Sequence, residues 1–333
     1  MHAGFVAIPA CWVCGSSTFA REHDAILDLE LYRDQHPALA EYSGETVWFV
    51  RCSRCGFTQP ERVPALPGFF DLLYDQLWSP EWVQQEFESD YKDFIFRTIL
   101  NGLSERTAAG RRLLDIGAHA GRFMHLARRA GWQPEGIELN PRTAAFAATR
   151  TGLPVHAVNV DRLPLSEGSY GAVTLIDVLE HVPEPVTLLS RVGGALEPGG
   201  WLAVKVPSGP AQRVKERVRA RVHRGYRPRL ADNLVHVNHF SPSALQGALE
   251  RVGLRSVTVD IAPPELPSAR DYRGVVSNLF RRSLYHVGRF VPRGVDTPLA
   301  LNLLAFGQKP GRIQVGTKTQ NSKQERAETN SGS

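Results

Sequence analysis

The strongest constraint on this chain is a repeated five-residue unit. Cys11-Trp12-Val13-Cys14-Gly15 and Cys52-Ser53-Arg54-Cys55-Gly56 spell the same C-x-x-C-G pattern, and these are the only four cysteines in 333 residues. Two residues between cysteines form a turn from which both thiolates can face one ion. The glycine that follows suits a left-handed backbone whose amides point toward sulfur. Two such turns make a closed four-thiolate site, for which zinc is the expected ion. A redox dithiol, an iron–sulfur cluster and buried free thiols are the competing readings. A redox C-x-x-C comes once and opens a helix after a strand, whereas the second pair here follows the strand-like Val47-Trp48-Phe49-Val50-Arg51 and runs into Gly-Phe-Thr. A saturated thiolate site leaves no position for water, so its expected role is to fold a module spanning 1–66 that is too small to hold itself together.

The rest of the chain is long enough for a substantial second domain. Hydrophobic residues at 42% and charged residues at 22% exclude a wholly disordered, collagenous or disulfide-framework protein. No apolar run reaches the roughly 20 residues of a membrane-spanning helix. The start, MHAGFVAIPACWVC, lacks a basic n-region and is broken by Pro9, so a cytoplasmic protein is expected. Net charge is +5, which would suit a polyanionic partner, but 33 of the 39 basic residues are Arg and only six are Lys. A GC-rich coding bias explains that skew as readily as function does.

From 67 to 104 the apolar spacing predicts helices that bridge or cover a site. Ser79-Pro80-Glu81 reads as a cap with proline at the first helical position. Tyr74 and Tyr91 are expected in the core rather than at a ligand. Strand and helix then alternate, beginning with the strand 112–116, the small-residue turn Gly117-Ala118-His119-Ala120-Gly121 and a helix from Arg122. Such alternation predicts an α/β, doubly wound, mainly parallel sheet, with ligands outside the carboxyl ends of its strands. Gly117 and Gly121 allow backbone amides at a helix N-terminus to approach a ligand, and Asp115 can orient the turn. Glu138, 21 residues after Gly117, ends the second strand where a carboxylate can hold both hydroxyls of a ribose. A nucleoside cofactor is indicated, but G-x-G-x-x-G is not met and there is no phosphate-loop lysine.

At this point the residues resemble a known family, the class I S-adenosylmethionine-dependent methyltransferases. The likeness rests on LLDIGAHAGRF (113–123), GIELN (136–140), VNVDRLPL (158–165), GAVTLIDVLEHVPEP (171–185), GALEPGGWLAVKVPS (194–208) and HFSPSALQGALERVGL (239–254), and it covers roughly 105–310. It implies a seven-stranded Rossmann-like sheet whose seventh strand runs antiparallel beside the sixth. It implies S-adenosyl-L-methionine as cofactor, with Asp115, Gly117, Ala118, His119 and Gly121 under its methionine part. Glu138 and Leu139 would stand at its ribose, Asn159 and Val160 at its adenine edge, and Asp177 near its amino-acid end. His119 stands where the family commonly has glycine, which a left-handed backbone tolerates. Asn159 replaces the commoner aspartate and can still accept a hydrogen bond from the adenine amine. The paired knuckles resemble a zinc-ribbon-like module that precedes some bacterial methyltransferases of sugar and secondary metabolism.

His181, just after the fourth strand, is the expected catalytic base for an oxygen or carbon acceptor. Asp177, Glu180, His181, His236 and His239 together could instead hold a divalent ion that acidifies vicinal hydroxyls, as in metal-dependent O-methyltransferases. Basic stretches at 213–229 and 270–293 read as solvated amphipathic helices or as a surface for an anionic partner. Residues 311–333 lack apolar periodicity and read as a disordered tail. The expected substrate is a small molecule, a sugar, quinone-like or secondary-metabolite intermediate, with phosphorylated or otherwise anionic forms among the candidates. The rival readings are a nucleic-acid methyltransferase, disfavoured by few aromatics in the basic stretch, and a non-catalytic cofactor-binding module. Oligomeric state has no signal in the sequence.

Overall fold

The computed structural model describes residues 4–34, 36–74, 79–108, 110–162, 165–223, 226, 236–268 and 272–311. The cysteine region forms β1 (Phe5–Ala7), β2 (Phe19–Ile26), α1 (Pro37–Ala40), β3 (Thr46–Cys52), β4 (Thr58–Pro60) and β5 (Arg62–Pro64). β2, β3 and β4 pair antiparallel, and β5 folds back on β1. Alternation along β3 turns Val47 and Phe49 toward Leu27, Leu29, Leu39 and Tyr42. That apolar cluster is small, and the cysteine turns do not belong to it. Cys11, Val13, Cys52 and Phe57 pack instead into the core of the larger sheet.

Three helices follow: α2 (Phe69–Tyr74), α3 (Pro80–Glu88) and α4 (Asp93–Ser104). The Ser79 hydroxyl accepts from the Trp82 amide at 3.2 Å and Pro80 opens α3, as the sequence pattern predicts. The larger domain then runs β6 (Arg112–Ile116), α5 (Arg122–Arg129), β7 (Gln133–Glu138), α6 (Pro141–Thr151), β8 (Val155–Ala157), β9 (Tyr170–Ile176), α7 (Pro185–Ala195), β10 (Leu196–Pro207), α8 (Gly209–Val222), α9 (Pro242–Arg251), β11 (Arg255–Ile261), α10 (Tyr272–Phe290) and β12 (Asn302–Gln308).

These strands form one seven-stranded sheet in the order β11-β12-β10-β9-β6-β7-β8. β12 alone runs antiparallel to its neighbours, which agrees with the doubly wound expectation. The strand order reverses between β6 and β9, so their carboxyl ends open the crevice where such sheets take ligands.

The cysteine module docks through a short run before α9. Thr58 and His239 exchange backbone hydrogen bonds of 3.1 and 2.9 Å, and the Phe57 and Phe240 rings lie 4.9 Å apart. The Ser241 and Ser243 hydroxyls donate to the Cys55 carbonyl at 2.9 and 3.1 Å, while Ser241 also caps α9. The expected disordered tail lies almost wholly outside the described residues, as does most of 224–235.

Candidate active site

The turn after β6 has positive φ at Gly117 (77°), His119 (47°) and Gly121 (84°). A side chain at Gly117 would collide with Val178, and one at Gly121 with Thr151 and Ala147. The left-handed backbone expected of His119 is present. Its amide donates to Glu138 Oε2 at 2.9 Å, and the Asn140 amide donates to Oε1 at 3.0 Å. The His119 ring stands edge-on to Trp82 with centroids 5.1 Å apart. Burial, with Lys92 nearby, holds that imidazole down at about 4, so it is neutral at pH 7. Burial pushes the Glu138 carboxyl up, against the amides that stabilise its charge.

Glu138 opens onto a cavity of about 440 Å³ at the carboxyl edge of the sheet. Gly117, His119, Glu138, Leu139, Asn159, Val160, Asp177 and His181 all line it. Asp115, Ala118 and Gly121 are not among its lining residues; Asp115 and Ala118 line a smaller adjoining space with Gly117 and His119. Asp115 is buried and accepts from the Thr174 hydroxyl at 2.7 Å, and burial raises its carboxyl to about 7. The bridge helices supply the cavity's cover through Phe70, Trp82, Tyr91 and Lys92. Tyr91 is therefore a cavity residue and not the core residue expected of it, because the chain between α3 and α4 crosses the crevice. The side chain of Tyr74 lies outside what the structure describes.

Asp177, at φ 57°, sits between two ammonium groups. Lys92 is 3.1 Å from Oδ2, and Lys205, buried inside β10, pairs with Oδ1. Burial would raise the Asp177 carboxyl, but Lys205 and Lys92 outweigh it and hold it well below the ordinary range. Sequence reasoning missed both lysines. A signal existed for Lys205, a charge inside the apolar run Trp201-Leu202-Ala203-Val204-Lys205-Val206.

The five-residue metal set breaks up. The ligand atoms of Glu180, His181 and His236 lie within 4.8 Å of one another. Asp177 is turned to the lysines, and His239 faces the cysteine module, stacked on Phe49 (5.3 Å) and His23 (6.1 Å). Among the described residues, Glu180 Oε2 is buried without a hydrogen-bond partner. Burial, with the Asp177 charge beside it, raises the Glu180 carboxyl to about 8. Burial and the neighbouring His181 lower the His236 imidazole.

The four cysteine sulfurs also converge, Cys11 to Cys55 at 3.6 Å and Cys14 to Cys52 at 3.5 Å. Tetrahedral zinc with bonds of about 2.3 Å sets sulfurs about 3.8 Å apart, close to this spacing. Gly15 (φ 72°) and Gly56 (φ 73°) return their amides to the Cys11 and Cys52 carbonyls at 2.8 and 3.0 Å.

Residues 87–259, just over half of the chain, match the family described as "Methyltransferase domain". The chain is a class I S-adenosylmethionine-dependent methyltransferase. Ubiquinone biosynthesis O-methyltransferase of Bordetella bronchiseptica is 28% identical to it over 205 residues, 56% of this chain and 81% of that protein. The protein of the same name from Burkholderia vietnamiensis is 34% identical over 100 residues, 28% of this chain and 43% of its own length. A chain in the complex between the Haloferax volcanii Trm112 methyltransferase activator and a methyltransferase shares the fold, with a TM-score of 0.50 at 16% identity over 72% of this chain and 97% of that one. The methyltransferase's cysteine module and α2 lie before the matched span. Among its described residues, no helix is long and apolar enough to cross a membrane.

Proposed function

We propose that this methyltransferase methylates an oxygen of a small acceptor with an apolar body, such as a phenol-like or quinone-like ring, and that zinc folds its N-terminal module. One observation carries the reading. The cavity has the half-buried Glu138 carboxylate on one side of β6 and the His181 imidazole on the other, so the two ends of one space offer different chemistry.

The residues present fit S-adenosylmethionine. Glu138 matches a pair of ribose hydroxyls, Asn159 and Val160 an adenine edge, and the amides of the Gly117 turn the chain between. Asp177 matches an ammonium group and Lys92 a carboxylate, the two charges of an amino acid. When bound, that cofactor supplies a methyl group on a sulfonium for in-line displacement. The protein's share is to hold the acceptor in line and exclude water, with Phe70, Trp82 and Tyr91 as cover. His181 takes the acceptor's hydroxyl proton at an imidazole nitrogen. A second space of about 640 Å³, between the β1/β5 ribbon and the start of α7, meets the cavity at Phe70, Asp71, Val182 and Pro183. It suits the apolar remainder of the acceptor. The names of the Bordetella and Burkholderia relatives, both O-methyltransferases, support an oxygen as the acceptor atom.

The unpartnered Glu180 oxygen supports a second reading, in which Glu180, His181 and His236 hold a divalent cation that acidifies the acceptor hydroxyl. A chelator too weak to strip four thiolates separates the two: lost activity favours the cation, and retained activity favours His181 as base. The main test is labelled methyl transfer to phenolic, catecholic and sugar acceptors, alongside calorimetry with S-adenosylmethionine. Methylated phenol or catechol is expected. A folded chain that binds no cofactor overturns the reading, and one that methylates only sugars overturns the acceptor class.

A further inference from the structure

α10 connects the end of β11 to the start of β12, and β12 is the antiparallel strand, so the helix lies at the same carboxyl edge as the cavity. Its inner face is well seated. Tyr285 packs edge-on to Phe94 at 5.5 Å, Asn278 donates to the Pro267 carbonyl at 2.7 Å, and Arg281 donates to the Glu265 carbonyl at 3.2 Å. The Glu265 carboxylate in turn lies 3.9 Å from Lys205, the partner of Asp177.

The outer face is built differently. Tyr272 is 81% exposed, Phe280 65% and Phe290 88%, with Val276, Leu279 and Val287 also exposed. At 3.6 residues per turn these six positions fall on one face, an apolar stripe along five turns interrupted by the exposed Ser283. Stray exposed apolar residues need no explanation, but a stripe of this length does. The helix carries four arginines and no acidic residue. Arg273 borders one margin of the stripe; toward the other lie Arg282, whose guanidinium sits 5.8 Å from the Phe94 ring, and Arg289, which is ion-paired with Asp260 at 3.1 Å. With four arginines and only 19 residues of mixed character, it cannot cross a bilayer. An apolar face edged with arginine is the build of a helix that lies in a membrane interface.

We propose that α10 anchors the enzyme to the surface of a membrane bearing anionic lipids. The stripe enters the headgroup boundary, Arg273 and Arg282 meet lipid phosphates, and the cavity's edge faces the bilayer. Charge selects this occupant over a second copy of the chain. Both margins are basic, so two such helices meet like charge against like charge in either relative direction. The inference does not depend on which acceptor atom is methylated.

The test is sedimentation of the full chain with vesicles of phosphatidylcholine alone and of phosphatidylcholine mixed with phosphatidylglycerol, with light scattering for mass. Binding to the phosphatidylglycerol vesicles is expected, weakening with salt. The triple change Leu279→Ser, Phe280→Ser, Phe290→Ser and the double change Arg273→Glu, Arg282→Glu are each expected to weaken it by roughly tenfold or more. These side chains are exposed, and circular dichroism checks that both variants stay folded. Absence of binding to either vesicle, or binding that neither variant weakens, overturns the proposal. A dimer that the triple change dissociates, without vesicle binding, overturns it in favour of a second copy.

Discussion

The four sulfurs of the N-terminal module and the Glu180, His181 and His236 cluster both bring their ligand atoms within 4.8 Å, but they are built on different terms. The sulfurs lie in two turns that share one backbone pattern, pack against core, and converge on one another. Nothing is left over for a reacting group. The second cluster has a carboxylic acid kept neutral by burial, two imidazoles, and a face on the cavity through His181. A closed set of like ligands stabilises a fold, whereas an incomplete and mixed set beside a ligand cavity retains chemical freedom.

The largest expected effect breaks the first half of that contrast. Cys52→Ser, or removal of zinc by a strong chelator, should unfold the module and lower the thermal midpoint by roughly 10 °C or more, read by calorimetry with metal analysis. A variant as stable as the parent would show that the sulfurs hold nothing essential. Next, His181→Ala should lower kcat by about 10²- to 10⁴-fold while leaving cofactor affinity unchanged, measured by turnover and titration. A change confined to cofactor affinity would move His181 from the chemistry to the binding. Glu138→Gln should weaken cofactor binding by about 10- to 100-fold, since a neutral amide replaces a charged acceptor of hydrogen bonds.

The smallest effect concerns the seam between the module and the sheet. Burial holds His239 at about 3 in the folded protein, against about 6.5 when unfolded. Below pH 6.5 the unfolded chain takes up a proton that the folded chain refuses, so stability falls as pH drops from 6.5 toward 3. This one group contributes up to about 1.4 kcal/mol per pH unit. His239→Phe should reduce that acid slope in denaturant titrations at pH 6.5 and 5.5, and an unchanged slope would place the proton uptake elsewhere.

Much of the fold was legible because strands such as β6, β9 and β10 carry apolar runs followed by a helical period, and Gly117 and Gly121 mark where the backbone must turn left-handed; the three-residue edge strand β8 carries no such run. The cysteine spacing was legible for the same reason: a turn is a local object. The site's cover was not. Lys92 and Tyr91 reach the cavity only because α3 and α4 lie across the crevice, a long-range placement that no local period encodes. The metal set erred likewise. Proximity of Asp177 to Glu180 along the chain says nothing of Lys205, which arrives from the next strand to claim the aspartate. For α10 the sequence announced an amphipathic basic helix, but which of its faces stays bare depends on what Tyr285 meets.

Eight residues, 236–243, touch nearly everything discussed above. His236 stands beside His181, His239 and Phe240 grip the module, and the Ser241 hydroxyl reaches the carbonyl of a cysteine. The module is thus wired to the reaction chamber by one short strap rather than appended to it. Disturbing the four sulfurs would slacken that strap and silence the enzyme before it destroyed the sheet, and cutting the module away would strip the sheet's core of Cys11, Val13, Cys52 and Phe57.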